Sequence, residues 1–365
     1  IILHNIVFNK CDSYKEGGAL AIFTKQINHN HKNNHSTRIS EISVHIKQCV
    51  LVSNTAVEKA GAISIEHVVH ITIADTKFIR NEVIKNVIDT MGGALLVNGV
   101  KILTIINTWV INNKVTYSGG GIQLNNCTIV RLQKAQFLNN SVSDKGGGIS
   151  FTSCKIAVIV ASKFSNTARR EGGGIMFEIG VSIKITNSLF YRNYAANGAA
   201  IYVDKIQNLL LNNCTFYKNT AGFNGGILQA QNCQNWIVFV GCKIIKNLAT
   251  ELGAAIFADK IKSFILIRRN LFYRNKVLEP KAINLEFKRA TIVVKQCHKM
   301  ETVESYFLNN SGGVLSLYDA NIAVNIKNIH KQNNGVQATT TFTFVIKITL
   351  INCIFVMNKC TDQGA

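Results

Sequence analysis

A cluster of small residues followed by one aliphatic residue recurs through the middle of the chain and decides its fold. Four consecutive copies read Gly119-Gly120-Gly121-Ile122, Gly146-Gly147-Gly148-Ile149, Gly172-Gly173-Gly174-Ile175 and Gly198-Ala199-Ala200-Ile201. The aliphatic anchors of these copies lie 27, 26 and 26 residues apart. A fixed interval of this size is typical of a solenoid, in which each coil of the chain stacks on the one before it.

Further copies extend the pattern toward both ends of the chain. Their predicted anchors are Leu20, Ile63, Leu95, Ile227, Ile256 and Ile283. In every copy the residue before the anchor is Ala or Gly. This indicates either that a neighbouring backbone passes close by or that the chain turns with positive φ at this position.

A second mark precedes each cluster and consists of a large apolar residue, two spacers and Asn, as in Phe190…Asn193 and Phe216…Asn219. Asn tolerates the left-handed backbone of a bend, and its amide can bond to the next coil. We therefore predict a structural ladder of stacked amides. Its predicted members are Asn81, Asn113, Asn140, Asn193, Asn219, Asn247 and Asn275.

Short β-branched runs such as Ile102 to Ile106 lie between the two marks and predict strands. The sequence therefore predicts an all-β fold, a right-handed single-stranded parallel β-helix. It would contain about 12 coils of 26–27 residues, with three short strands per coil. We expect one continuous β-helix over residues 1–365, forming part of a longer chain, with an inserted loop at residues 27–38.

The paired marks, Gly-Gly-Ala-Ile/Leu and Phe-x-x-Asn, resemble the repeat of chlamydial polymorphic outer-membrane proteins. They are also similar to right-handed β-helix proteins of the pectate-lyase-like class, and the resemblance spans the chain from about Phe8 to Ala365. It implies a surface or extracellular β-helix. The scaffold hosts adhesins, structural filaments and polysaccharide enzymes alike, so the resemblance predicts fold more sharply than function.

The formal net charge of +20 favours anionic partners such as acidic glycans. Part of this charge is in phase with the repeat, immediately before the corner asparagine, and aromatic residues precede several of the cations. The predicted basic and aromatic stripe comprises Arg80, Arg192, Lys218, Lys246, Arg274, Tyr191, Tyr217 and Tyr273. The stripe is either a polyanion or partner site or a solvated corner, and no nucleic-acid motif accompanies it.

Most of the ten cysteines are also in phase with the repeat. Cys127 and Cys154 would be stacked neighbours, as would Cys214 and Cys242, at a Cα spacing of about 4.8 Å. Buried free thiols and disulfides both fit this spacing. No Cys-x-x-Cys pair indicates a metal site, and we predict neither a metal nor a cofactor.

The insertion at residues 27–38 carries His29, His31 and His35, which fit a polar loop better than a metal site. Asn-x-Ser/Thr sequons occur at Asn34, Asn126, Asn139, Asn213 and Asn309, and Asn34 in this loop and Asn126 are the predicted glycosylation sites. No uninterrupted apolar run of about 18 residues predicts a transmembrane helix.

Catalytic function has little support in the sequence. Glu178 and Asp204 share one position of successive coils, and Asp259 shares their phase, but Ala230 would interrupt that column. We assign no catalytic residue and predict a non-catalytic extracellular or cell-surface scaffold, a rigid rod that assembles with further coils or subunits at its ends. The alternatives are an adhesin that holds acidic polysaccharide and a polysaccharide lyase or hydrolase.

Overall fold

The computed structural model describes residues 1–23, 42–85, 89–278, 290–337 and 340–363. Every strand pairing in these ranges is parallel, and each strand pairs with the equivalent strand of the neighbouring coil. Ile122, Ile149, Ile175 and Ile201 are in direct register. The chain is therefore an all-β, right-handed parallel β-helix of about 11 turns, which confirms the predicted fold class.

Each coil contributes strands to three faces of the solenoid. Face 1 begins at the aliphatic anchor, face 2 follows it, and the two run as one strand in six coils. Strands of face 1 alone are Leu20–Phe23, Ile63–Glu66, Leu95–Asn98, Ile122–Asn125, Ile149–Thr152 and Leu228–Gln231. Strands of face 2 alone are Ile2–His4, Ser43–Lys47, His70–Ala74, Ile102–Ile106, Ile129–Gln133, Ile156–Val160 and Trp236–Val240. Strands that span both are Ile175–Thr186, Ile201–Asn212, Ile256–Arg268, Ile292–Val303, Leu315–Ile326 and Thr340–Ile351.

Face 3 carries the corner mark, and in most coils it continues as a short strand beyond the asparagine. Its main strands are Val7–Asn9, Val50–Val52, Lys77–Ile79, Trp109–Ile111, Gln136–Val142, Lys163–Ala168, Leu189–Tyr191, Thr215–Tyr217, Lys243–Ile245, Leu271–Tyr273, Tyr306–Leu308, Ile329–Lys331 and Ile354–Val356. The continuing strands are Asp12–Ser13, Thr55–Ala56, Glu82–Val83, Lys114–Val115, Tyr194–Asn197, Thr220–Asn224, Leu248–Ala249, Lys276–Val277, Asn334–Gln337 and Lys359–Gln363.

The interior is filled by alternate residues of the three faces, as the period-2 pattern of the strands requires. In Ile102–Ile106, for example, Leu103 and Ile105 point inward and are fully buried. The corner phenylalanines form an interior column in which Phe164 stacks between Phe137 and Phe190 at centroid distances of 5.0 and 4.8 Å. A single coil could not cover these side chains, so burial depends on the coils above and below.

A continuous ladder of buried asparagines runs beside this column. The Nδ2 of Asn219 donates to Asn247 Oδ1 at 2.9 Å and to the Phe190 carbonyl at 3.0 Å. Its Oδ1 accepts from the backbone nitrogen and from Nδ2 of Asn193, at 3.1 and 2.8 Å. All four hydrogen-bonding positions of the side-chain amide are thus used, which makes full burial of this polar group tolerable.

The ladder contains all seven asparagines that were predicted as its members and five more. Of these five, Asn54, Asn310 and Asn358 carry the same sequence pattern, whereas Asn166 and Asn333 depart from it. Its rungs are Asn54, Asn81, Asn113, Asn140, Asn166, Asn193, Asn219, Asn247, Asn275, Asn310, Asn333 and Asn358. The sequence pattern missed Asn166 because only one residue separates it from Phe164. It missed Asn333 because His330 occupies the position of the corner phenylalanine.

Three predictions about the anchors were wrong or fall outside the described residues. Leu228, not Ile227, is in register with Ile201 and Ile256, and Ile227 occupies the supposedly small position before it, fully buried. The strand after Ile256 begins at Ile292, so the coil does not continue at the predicted Ile283, which itself lies outside the described residues. A side chain larger than Ala therefore fits before the anchor where the interior has room.

Positive φ marks a different place in the cluster, three residues before the anchor. Gly119, Gly172 and Gly198 have φ of 69, 62 and 57° there. A Cβ built at Gly172 would approach the Ile175 carbonyl oxygen to 2.4 Å. This first small residue, rather than the one beside the anchor, is the position that the backbone conformation restricts.

Candidate functional site

The stripe residues lie on face 3, and the local backbone explains their alternation. The corner phenylalanine points inward, the following residue points outward, and the next adopts a left-handed conformation that turns the ladder asparagine back into the interior. The basic residues in this left-handed position are Arg80, Arg192, Lys218, Lys246 and Arg274, with φ between 52 and 54°. All five side chains are exposed.

Four of the basic residues stand on successive coils. Phe190, Phe216, Ile244 and Phe272 are in register on face 3, so Arg192, Lys218, Lys246 and Arg274, two residues after each, form one column. Neighbouring rungs of such a column are about 4.8 Å apart. Arg80 stands apart, because Asn112, Asn139 and the shortened coil at Asn166 intervene.

The tyrosines form a second, half-buried column beside the cations. Tyr191 pairs with Tyr217, Tyr217 with Ile245, and Ile245 with Tyr273. Lys218 Nζ lies 5.2 Å from the ring centroid of Tyr217, and the Arg274 guanidinium carbon lies 4.9 Å from that of Tyr273. These cation–π contacts place the charged groups over the rings, while Lys218 and Arg274 remain exposed to solvent.

The four cations of the column have no acidic partner among the residues that the structure describes. The ion pairs found in those ranges are held elsewhere, for example Lys114 to Glu82 at 3.0 Å and Arg269 to Glu304 at 2.8 Å. The stripe therefore presents unneutralised positive charge along the axis of the solenoid.

Face 1 carries a contrasting acidic group. Glu178 pairs directly with Asp204, and Lys145 Nζ lies 3.6 Å from Glu171 and 4.0 Å from Glu178. Burial raises the pKa of Glu171. Burial alone would lower the pKa of Lys145, but Glu171 and Glu178 outweigh that effect and raise it, so the lysine stays charged.

Tyr202 lies within this acidic group, on the outward side of face 1. Its hydroxyl donates to Gln231 Oε1 at 3.2 Å, and burial together with Glu171 raises the pKa of Tyr202. The column of Asp204 and Asp259 is interrupted as predicted, but by Gln231 rather than by Ala230, because Gln231 is in register with both. The error follows from the misplaced anchor at Ile227.

A cavity of about 480 Å³ opens on the same face nearer the N terminus. Its lining includes Lys59, Glu66, Lys85 and Asp89, so both signs of charge are present. In the described ranges, no group of three or more His, Cys, Asp and Glu side chains is placed to hold a metal ion. The candidate histidines His29, His31 and His35 lie outside those ranges.

The stacked cysteines are free thiols in the structure. Cys154 follows Cys127, and Cys242 follows Cys214, on adjacent coils. In-register side chains point the same way, so their Cβ atoms are separated by roughly the strand spacing of ~4.8 Å, beyond the 3.5–4.5 Å of a disulfide. The expectation that disulfides would fit rested on the Cα spacing and did not include the Cβ spacing.

Burial makes several thiols poor nucleophiles. It raises the pKa of Cys233 to about 12 and that of Cys297 to about 11. Both lie in a column of inward residues between faces 1 and 2 that also contains Cys127 and Cys154, and the sequence reading had overlooked them. Thiols with raised pKa values carry little thiolate and oxidise slowly.

The sequon residue Asn126 is exposed at a left-handed corner, where its Nδ2 donates to Asn98 Oδ1 at 3.4 Å. The other described sequon residues are likewise exposed at such corners, which the sequence reading had not foreseen. They are Asn139, Asn213 and Asn309. Asn34 lies outside the described residues.

Comparison with known families agrees with this architecture. Residues 93–250 match the family model described as right handed beta helix region. No curated protein matches the chain. The matched segment includes the acidic group of face 1 and three of the four rungs of the basic column, so the family model covers the scaffold of both candidate sites without assigning a role to either. No helix in the described ranges is long and apolar enough to cross a membrane.

Proposed function

We propose that the protein is a non-catalytic scaffold of an extracellular or cell surface, in which the solenoid acts as a rigid rod. The observation that carries this proposal is the unbroken asparagine ladder from Asn54 to Asn358. Each rung hydrogen-bonds to the next, so bending or opening one coil would expose buried polar groups. About 11 turns at ~4.8 Å give an axial length of about 53 Å.

The surface location rests on three supporting observations. Sequon asparagines such as Asn126 and Asn213 stand exposed at corners. Raised thiol pKa values would let buried cysteines such as Cys233 persist in an oxidising compartment. The repeat also resembles those of chlamydial polymorphic outer-membrane proteins and of the pectate-lyase-like class, whose scaffolds stand on microbial surfaces.

The coil at Thr340–Ile351 supports the idea that the rod assembles further. Core-column residues Ile348 and Leu350 are 46% and 52% exposed there, whereas Ile267, in the column of Leu350, is fully buried. We propose that further coils or another subunit cover this surface, because exposed apolar side chains on an edge strand favour association.

The scaffold proposal is tested by the shape of the protein in solution and by its resistance to unfolding. Small-angle scattering and negative-stain imaging of the full chain are expected to show a rod whose axial length stays near 50–55 Å or grows in whole multiples by end-to-end stacking. A compact, roughly spherical particle, or a chain that unfolds coil by coil under mild denaturant, would contradict it.

A second candidate, an enzyme acting on polysaccharides, is favoured by the register of Glu178 with Asp204 beside Lys145 and Tyr202. Two neighbouring carboxyl groups on one open face are what acid–base cleavage requires, and burial raises the pKa of the adjacent Glu171. Turnover of uronate-containing polymers that is lost in both Glu178→Gln and Asp204→Asn would establish it. Absence of turnover in the unmodified chain would favour the scaffold.

A further inference from the structure

In the central coils, carboxylates are confined to face 1 and the turn leading into it, where Lys205 pairs with Asp204 at 3.6 Å, whereas exposed cations continue onto faces 2 and 3. Between residues 180 and 278, the carboxylates are Asp204 and Asp259 on face 1 and Glu251 on the turn leading into it. Faces 2 and 3 of the same coils carry nine exposed cations and no carboxylate. These cations are Lys184, Arg192, Lys218, Lys243, Lys246, Arg268, Arg269, Arg274 and Lys276.

The backbone does not demand cations in the stripe column. Asn112, Asn139 and Asn309 occupy the equivalent left-handed position on other coils, with φ of 56, 54 and 54°. Asn adopts this conformation more readily than Arg or Lys, because its short polar side chain bonds locally. Four successive cations in place of Asn therefore need a reason other than the fold.

We infer that face 3 from Leu189 to Lys276 binds a linear acidic polysaccharide lying along the solenoid axis. This inference rests on the proposed surface scaffold and names its ligand. Successive cations of the column are spaced by about 4.8 Å, so an extended polyanion can meet one positive charge per rung. Like charges at this spacing repel one another, and an anionic chain between them removes that repulsion.

The aromatic column favours a polysaccharide over a nucleic acid. Base stacking needs free ring faces, but Lys218 and Arg274 lie over the rings of Tyr217 and Tyr273. The same arrangement suits carboxylate or sulfate groups, which contact the cations directly while the sugar ring rests on the edges of the half-buried tyrosines. The ligand class is therefore a uronate- or sulfate-bearing glycan.

The decisive experiment replaces the four cations with the residue that the same column carries elsewhere. The stripe variant is R192N/K218N/K246N/R274N in the full chain. The control variant, K10N/K101N/K134N/K155N, removes the same charge from exposed lysines scattered over other coils and corners. Titration calorimetry would use heparin fragments, polygalacturonate fragments and single-stranded DNA of similar length as probes.

The stripe variant is expected to lose at least about tenfold in affinity for a glycan probe, and the control to stay within about threefold of the unmodified chain. Equal losses in both variants would mean that net charge alone attracts the glycan, which overturns the inference. Stripe-dependent binding of DNA that is tighter than that of both glycans would also overturn it.

Failure of this inference can be separated from failure of the scaffold proposal. Both variants are examined by small-angle scattering before titration. A rod of unchanged length that binds none of the three probes overturns the glycan site and leaves the scaffold intact. A rod that is absent from the unmodified chain refutes the scaffold whatever the titrations show.

Discussion

The central coils and the C-terminal coils share the ladder but differ in what fills the interior. In the central coils, Phe190 stacks on Phe216 at 5.1 Å, and the neighbouring column holds Ile185 and Leu211. In the C-terminal coils, Thr302 and Asn325 occupy that second column, and His330 occupies the aromatic one. The ladder nevertheless runs unchanged through Asn310, Asn333 and Asn358.

The difference shows that amide bonding, rather than a uniformly apolar core, propagates the coil. The polar interior of the C-terminal coils is partly satisfied. Asn325 and Thr302 are hydrogen-bonded to each other, and Asn328 Nδ2 donates to Thr302 Oγ1 at 2.8 Å. His330 is the exception, because neither ring nitrogen has a partner among the described residues and the side chain is buried.

Breaking the asparagine ladder, which both regions share, is expected to cause the largest loss of stability. Asn219→Ala would remove four side-chain hydrogen bonds of the ladder. The backbone nitrogen of Asn193 would lose its partner, and Asn193 Nδ2, the Phe190 carbonyl and Asn247 Oδ1 would each lose one bond. At about 1–1.5 kcal/mol for each bond, the loss in free energy of unfolding is expected to be roughly 4–6 kcal/mol. Urea unfolding followed by tryptophan fluorescence measures it. Asn213→Ala, at an exposed corner of the same coil, is the control and should cost only about 1–2 kcal/mol, because Ala adopts its left-handed backbone less readily than Asn. Equal costs at the two sites would refute the importance of the ladder.

The aromatic column should distinguish the two regions directly. Phe216→Ala, fully buried in the central coils, is expected to cost about 3–5 kcal/mol through the cavity it leaves. Phe355→Ala, in the same column of the last coil but 46% exposed, is expected to cost roughly 1–2 kcal/mol. The two variants are compared by urea unfolding at one pH. A larger loss for Phe355→Ala would show that the C-terminal coil is covered in solution.

His330 should make the C-terminal coils acid-sensitive. Burial lowers its pKa from 6.5 to about 4, so the unfolded chain binds the proton more tightly than the folded chain. The stabilisation is complete above pH 6.5 and is lost as pH falls toward 4, by about 3 kcal/mol at 1.36 kcal/mol per pKa unit. His330→Phe is expected to remove this dependence, measured as the difference between the two chains in hydrogen exchange of the C-terminal strands at pH 7 and pH 4.5. An unchanged difference would show that His330 is solvated.

The smallest expected effect concerns the thiols. Iodoacetamide at pH 8 should label the half-buried Cys11 and Cys353 first and leave Cys233 and Cys297 unmodified, because the raised pKa values of the buried pair leave little thiolate. Peptide mapping by mass spectrometry resolves the sites. Comparable labelling of Cys233 and Cys11 would mean that the central coils open as readily as the first.

Much of the site could be predicted because its residues share the repeat phase. Arg192, Lys218, Lys246 and Arg274 were predicted as one column, and the register places them so. The predicted anchor was wrong where two adjacent residues both fit the anchor position. Ile227 and Leu228 are both aliphatic, and only strand pairing shows which one faces the interior.

By itself, the sequence determined the coil, because a small residue with positive φ and a buried asparagine must recur at the same place in every turn. Only the tertiary structure decided how the turns lie against one another. That stacking placed Glu178 beside Asp204, left the stacked cysteines as free thiols, and gathered nine exposed cations on faces that carry no carboxylate in the central coils. Such relations depend on register between residues more than 20 positions apart, which local patterns of side chains do not encode.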